Sequence, residues 1–167
     1  MPIKICKGLM LNAWFDYLHP TDLSEAAYNL DQAQDSAEDV ADVIFEEIGL
    51  LKGDSKKVFV MGFSQGAAQA LYTGMVFNQP LGGVACLSGH KLVETPFLNN
   101  INNETPVLIV HGLNDETLPY EDAYASYRQG SFLQKKPNIS FHKIANLDHW
   151  VDEEVLEIVR DWIHDKI

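Results

Sequence analysis

The string Gly62-Phe63-Ser64-Gln65-Gly66 sets one serine between two glycines, directly after the apolar run Val58-Phe59-Val60-Met61 and at the head of a segment rich in small residues. A buried strand that turns sharply into a helix holds the corner residue in strained backbone geometry and lifts its side chain above the sheet. Ser64 therefore has the setting of a nucleophile. Glycine is expected at 62 and 66 because side chains there would collide with the neighbouring strand and helix. The plainer alternative is an ordinary strand-to-helix turn in which Ser64 caps the helix. A serine hydroxyl attacks carbonyl carbon poorly until a base takes its proton, and the base needs an acid to orient it.

Both partners have candidates in suitable places. His111-Gly112-Leu113-Asn114-Asp115 follows the apolar run Val107-Leu108-Ile109-Val110, which puts Asp115 on the loop at the carboxyl end of a strand. That is the edge at which open parallel sheets bind ligands. Asn146-Leu147-Asp148-His149-Trp150 follows the last predicted strand and leaves His149 on the loop before the closing helix. Serine, then acid, then histidine is the chain order of folds built around a nucleophile elbow. Asp148 would need an awkward bend to reach the neighbouring ring, and Asp54 precedes the nucleophile. His111 reads as packing at a strand end, and His19, His90, His142 and His164 have no partner pattern. No His or Cys spacing suggests a metal site.

These loops need a scaffold, and its elements are legible. Ala33, Ala37, Val40, Ala41, Ile44, Ile48 and Leu51 recur three or four apart with acids between them, an amphipathic helix stopped by Gly53. Val58–Met61, Gly83–Leu87 and Val107–Val110 are short continuous apolar runs, the pattern of strands buried on both faces. Helices are expected from Gly66 to about Phe77, from Tyr120 to about Lys135 and from about Asp152 to Asp165, with a strand over Ile139–Ile144. The Asn- and Pro-rich stretch before Val107 reads as irregular. Alternating strands and helices predict an α/β fold with a mostly parallel sheet of four or five strands flanked by helices.

Bulk composition narrows the partners. With 167 residues, 46% hydrophobic and 22% charged, the chain is expected to form one domain over residues 1–167. A formal charge of -12 repels phosphate backbones and anionic lipid, which argues against nucleic acid. Cys6 and Cys86 lie far apart in apolar contexts and are expected to be reduced, buried thiols, which favours the cytoplasm. No basic-then-apolar leader and no window of membrane-spanning length is present, so no integral membrane segment is expected.

These residues resemble the acyl-protein thioesterase, carboxylesterase and lysophospholipase group of α/β-hydrolases. The likeness rests on Trp14-Phe15-Asp16, on Gly62-Phe63-Ser64-Gln65-Gly66-Ala67, on His111-Gly112 with Asp115 and Leu118-Pro119, and on His149, and it spans the chain from about Asn12 onward. It implies a serine hydrolase that cleaves esters or thioesters of an apolar acyl group, with Ser64 as nucleophile, His149 as base, Asp115 as orienting acid and the Gln65 amide as oxyanion donor. Trp14 and Leu118 become candidates for the pocket lining, core packing being the alternative for each. No cofactor is implied, and the partners would be acylated small molecules, lipids or lipidated proteins.

Members of the group carry, before this region, several strands and a His-Gly-rich loop that supplies a second oxyanion donor. This sequence starts too late to contain them. Loss of one donor costs roughly 10²–10³ in turnover, so weakened activity is expected. The strand of Ser64 is expected at a sheet edge, with Ile3-Lys4-Ile5-Cys6 as a segment that could pair there instead. The rival expectations are a feeble relative that binds acylated partners or forms a homodimer through that edge, and a different α/β-hydrolase such as a peptidase.

Overall fold

The structure is a computed structural model that describes residues 2–3, 9–19, 27–92, 95 and 102–167. Pro2–Ile3 (β1) and Leu9–Met10 (β2) form a two-stranded antiparallel ribbon whose backbone register pairs Ile3 with Leu9. Ile3 is thus paired within the ribbon rather than beside the strand that leads to Ser64, while Lys4, Ile5 and Cys6 lie outside the described residues.

Leu30–Leu50 (α1) begins a turn earlier than its apolar spacing predicts, because the Asn29 side chain accepts from the Gln32 amide and caps the helix there. Phe59–Phe63 (β3) leads through Ser64 into Gln65–Val76 (α2). Gly83–Leu87 (β4) and Val107–Gly112 (β5) follow, both buried along their whole length. Tyr120–Arg128 (α3) and Phe132–Lys135 (α4) replace the single helix expected over that stretch. Gly130, at φ 63°, takes the left-handed conformation that breaks it. Ile139–Ile144 (β6) and Glu153–His164 (α5) close the chain, α5 capped by the Asp152 carboxylate on the Val155 amide.

Strands β3 to β6 form one four-stranded parallel sheet in the order β3-β4-β5-β6. The period-two alternation of side chains builds a core on each face. Val84, Cys86, Val107 and Ile109 point to one side and pack with Leu71 and Met75 of α2, Tyr127 of α3 and Phe132 of α4. Ala85, Leu87, Leu108 and Val110 point to the other and pack with Val155, Val159 and Trp162 of α5. Each aliphatic side chain fully buried in this way stabilises the fold by about 1.5–3 kcal/mol.

Helix α1 lies along α2, with Ala33 and Ala37 against Ala68 and Tyr72, and Ile44 and Ile48 against Val58, Phe77 and Leu81. Among the described residues β3 pairs only with β4, so it is one of the sheet's two edge strands, with Met61 54% and Phe63 38% exposed. No described helix is long and apolar enough to cross a membrane. Cys86 is buried and not disulfide-bonded, and burial pushes its thiol up to about 12.

Candidate active site

The site is set at the carboxyl ends of the parallel strands. Backbone hydrogen bonds continue past the strand ends and tie the loops to each other. The Ser64 amide donates to Leu87 O (2.9 Å), Ser88 to Val110 O (2.8 Å), Leu113 to Ile144 O (2.9 Å) and Asn114 to Leu147 O (3.0 Å).

Ser64 has φ 55° and ψ -121°, a strained conformation for a side-chain-bearing residue. It makes no side-chain cap to α2, so the capping alternative is not what holds it. The turn is tight enough that a Cβ at position 62 would fall 1.9 Å from Gly66 O, which only glycine avoids. Gly66 differs from expectation, because a Cβ there would meet only Trp14 Nε1, at an ordinary 3.4 Å. The tightness of the elbow falls on Gly62, while at Gly66 it is the backbone that sits too close to its neighbour.

Three side chains distant in sequence converge. His149 Nε2 lies 2.9 Å from Ser64 Oγ, and His149 Nδ1 lies 2.7 Å from Asp115 Oδ2. Asp115 is held from several directions. Its Oδ1 accepts from the amides of Thr117 (3.0 Å) and Leu118 (2.8 Å), and its Oδ2 also lies 3.4 Å from His111 Nε2. With the Asp115 side chain fully buried and that of His149 17% exposed, the carboxylate is shielded while the imidazole stays partly open to solvent. A carboxylate on Nδ1 favours the tautomer that carries its proton there, which leaves the Nε2 lone pair toward Ser64 Oγ.

Sequence reasoning missed several supports of this arrangement. A Cβ at Gly112 would come within 2.2 Å of Leu147 O and 2.9 Å of Asp148 O, so the loops of Asp115 and His149 approach only because residue 112 has no side chain. His111, read as strand-end packing, is fully buried and donates through Nε2 to Leu118 O (2.9 Å) while flanking the Asp115 carboxylate. Burial lowers its pKa and keeps it neutral. The Phe63 ring packs on the His149 ring at 4.9 Å between centroids. His90, which had no partner pattern, is buried with its Nε2 2.8 Å from the Tyr17 hydroxyl, and desolvation lowers its pKa to about 4. The signals that were present are the glycine directly before the Leu113–Asp115 loop and the i, i+4 spacing of His111 and Asp115.

The remaining expected positions fall as follows. Trp14 is 41% exposed beside the first turn of α2, and the Gln65 backbone N–H, at the head of α2, has no acceptor among the described residues. Leu118 is half-buried and acts through its backbone, toward Asp115 and His111. Asp148 is exposed, and Asp54 pairs with Lys57 instead. Among the described residues no group of three or more His, Cys, Asp or Glu is placed to hold a metal ion. A groove of about 380 Å³ between α1 and α2, lined by Ala37, Phe45, Tyr72 and Val76 among others, contains none of the three converging residues.

A parallel sheet with a strained serine at a strand-to-helix elbow, an acid and a histidine on successive carboxyl-end loops is the design of the α/β-hydrolases. The chain belongs to the phospholipase/carboxylesterase family, whose profile matches residues 1–167. It is 30% identical to an acyl-protein thioesterase 1 of Debaryomyces hansenii, covering 99% of this chain and 72% of that one. It is 28% identical to a probable carboxylesterase of Oryza sativa subsp. japonica, covering 96% and 68% respectively. Among solved structures, SOBER1 of Arabidopsis thaliana superposes with a TM-score of 0.85 at 24% identity, over 99% of this chain and 79% of that one. The Zea mays acyl-protein thioesterase 2 gives 0.80 at 24% identity, over 99% and 77%. These structural likenesses bear on the fold.

Proposed function

We propose that the chain hydrolyses carboxylic esters or thioesters of an apolar acyl group through an acyl-enzyme on Ser64. The observation that carries this reading is the relay of hydrogen bonds, 2.9 Å and 2.7 Å long, through His149 from Ser64 to Asp115. His149 takes the serine proton as Ser64 Oγ attacks the acyl carbon, then returns it to the departing alcohol or thiol. Water enters next, loses a proton to His149 and releases the acid. Asp115 keeps the ring in its working tautomer and stabilises it once protonated. The developing oxyanion is met by the Gln65 backbone N–H at the N-terminus of α2, where the helix dipole also favours negative charge.

That N–H is the one donor proposed among the described residues, and a site with one donor turns over roughly 10²–10³ more slowly than a site with two. The relatives' names, acyl-protein thioesterase and probable carboxylesterase, support acylated proteins and carboxylic esters as substrates. The unpaired buried thiol of Cys86 suits a reducing compartment such as the cytoplasm. A second reading, as a binding or dimerising module, draws on the exposed edge at β3. A fluorophosphonate probe separates the two. Labelling of the wild type that Ser64→Ala abolishes supports the hydrolase, whereas folded wild type that takes up no probe supports the module. Turnover of p-nitrophenyl esters, acyl thioesters and peptide amides measured together then fixes the class of bond cleaved.

A further inference from the structure

The Gln65 side chain is engaged at both ends with a segment some fifty positions away. Its Oε1 accepts from the Trp14 amide at 3.0 Å and its Nε2 donates to Phe15 O at 2.8 Å. Reversing the amide would set donor against donor and carbonyl against carbonyl, so the pairing fixes its orientation. The neighbouring backbone is held similarly. Ser36 Oγ donates to Trp14 O (2.5 Å), Asp16 N donates to Gln32 Oε1 (2.8 Å), and Asn29 N donates to Asp16 O (2.9 Å).

Phe15 is fully buried against Ala68 and Tyr72 in the same cluster. With the backbone so fixed, the Trp14 indole cannot follow Phe15 inward. It stands over the first turn of α2, Nε1 3.4 Å from where a Cβ at Gly66 would be, and 41% exposed. Phe63, 38% exposed, lies on the other side of Ser64 in sequence and packs on His149. Two half-exposed aromatic rings, Phe63 on His149 and Trp14 over the first turn of α2, offer apolar surface that an acyl chain would cover.

We propose that the Gln65 carboxamide is a positioning residue for acyl-chain selection, holding Trp14 as one wall of the acyl site, a role separate from that of its backbone N–H. This rests on the reading of Ser64 as the acylated nucleophile. Glutamine suits the task because it presents one acceptor and one donor at the same reach. Glutamate would turn a second acceptor toward Phe15 O, and asparagine is one carbon short.

The test is a double-mutant cycle on chain length, run on protein whose wild type labels with fluorophosphonate. The quantity read is kcat/KM for p-nitrophenyl octanoate divided by that for the acetate. Gln65→Ala and Trp14→Ala should each lower it roughly tenfold, the low end of what small changes in apolar contact are worth. The double variant should lower it no further, because Gln65 acts through Trp14. Gln65→Glu should fall between wild type and Gln65→Ala. An unchanged ratio in Gln65→Ala, or independent multiplying losses in the double variant, would overturn the proposal. Amide exchange at Trp14 gives a readout without turnover, speeding up in Gln65→Ala while the amides of β4 and β5 stay slow. A wild type that does not label removes the nucleophile reading and the proposal with it, whereas labelling with no change in ratio removes the proposal alone.

Discussion

The two sides of Ser64 are built by different means. Toward β5 and β6, the Asp115 and His149 loops are joined by backbone hydrogen bonds, a glycine contact and a carboxylate with four polar neighbours. Toward β3, residues 14–16 are held mainly by side chains of Gln65, Ser36 and Gln32. Backbone stitching tolerates surface substitution and fails when a close approach is blocked. Side-chain hooks fail one residue at a time. The half proposed to move protons is thus set by the sheet, while the half that would bind the acyl group is open to tuning.

Substitutions sharpen that contrast. His149→Ala should lower kcat on the order of 10⁶-fold, as loss of a general base does in a serine hydrolase, measured with an activated ester on protein of unchanged circular dichroism. Asp115→Asn keeps the shape but supports the wrong tautomer, and a fall of about 10⁴-fold is expected. Gly112→Ala forces Leu147 O away from a Cβ that would otherwise sit at 2.2 Å. It should cost about 10²-fold in kcat through displacement of His149. Near wild-type turnover there would show that the loops are not closely coupled. On the hooked side, Ser36→Ala should cost less than tenfold, about what one exposed hydrogen bond contributes, and act on long acyl chains first. A larger effect there than at Gly112 would reverse the contrast.

The smallest effect is on stability. His90 titrates near 6.5 when unfolded and at about 4 when folded, so between those values the unfolded chain binds more protons. Its contribution is complete above pH 6.5 and is lost as pH falls toward 4. His90→Gln should flatten the fall of the urea midpoint across that window. An unchanged slope would place the acid sensitivity elsewhere.

Much of this was legible in the sequence because it is written locally. The expected strands Gly83–Leu87 and Ile139–Ile144 match the observed ones residue for residue, and in Gly83–Leu87 the apolar continuity reports burial on both faces. Ser64, Asp115 and His149 could be named because each follows a recognisable strand. What could not be read depends on approach between distant segments. The pressure on Gly112 comes from Leu147 and Asp148, the partner of His90 is Tyr17, and the Gln65 side chain turns to Trp14 and Phe15. The break between α3 and α4 was visible as Gly130 but was outweighed by the helical residues around it.

Probe labelling at Ser64 tests the central claim most directly. Folded wild type incubated with a fluorophosphonate should gain one adduct, located on Ser64 by peptide mass spectrometry and lost in Ser64→Ala. His149→Ala should slow the labelling sharply, because the hydroxyl then has no base. Wild type that keeps its fold and stays unlabelled, or that labels equally fast without His149, would contradict the account.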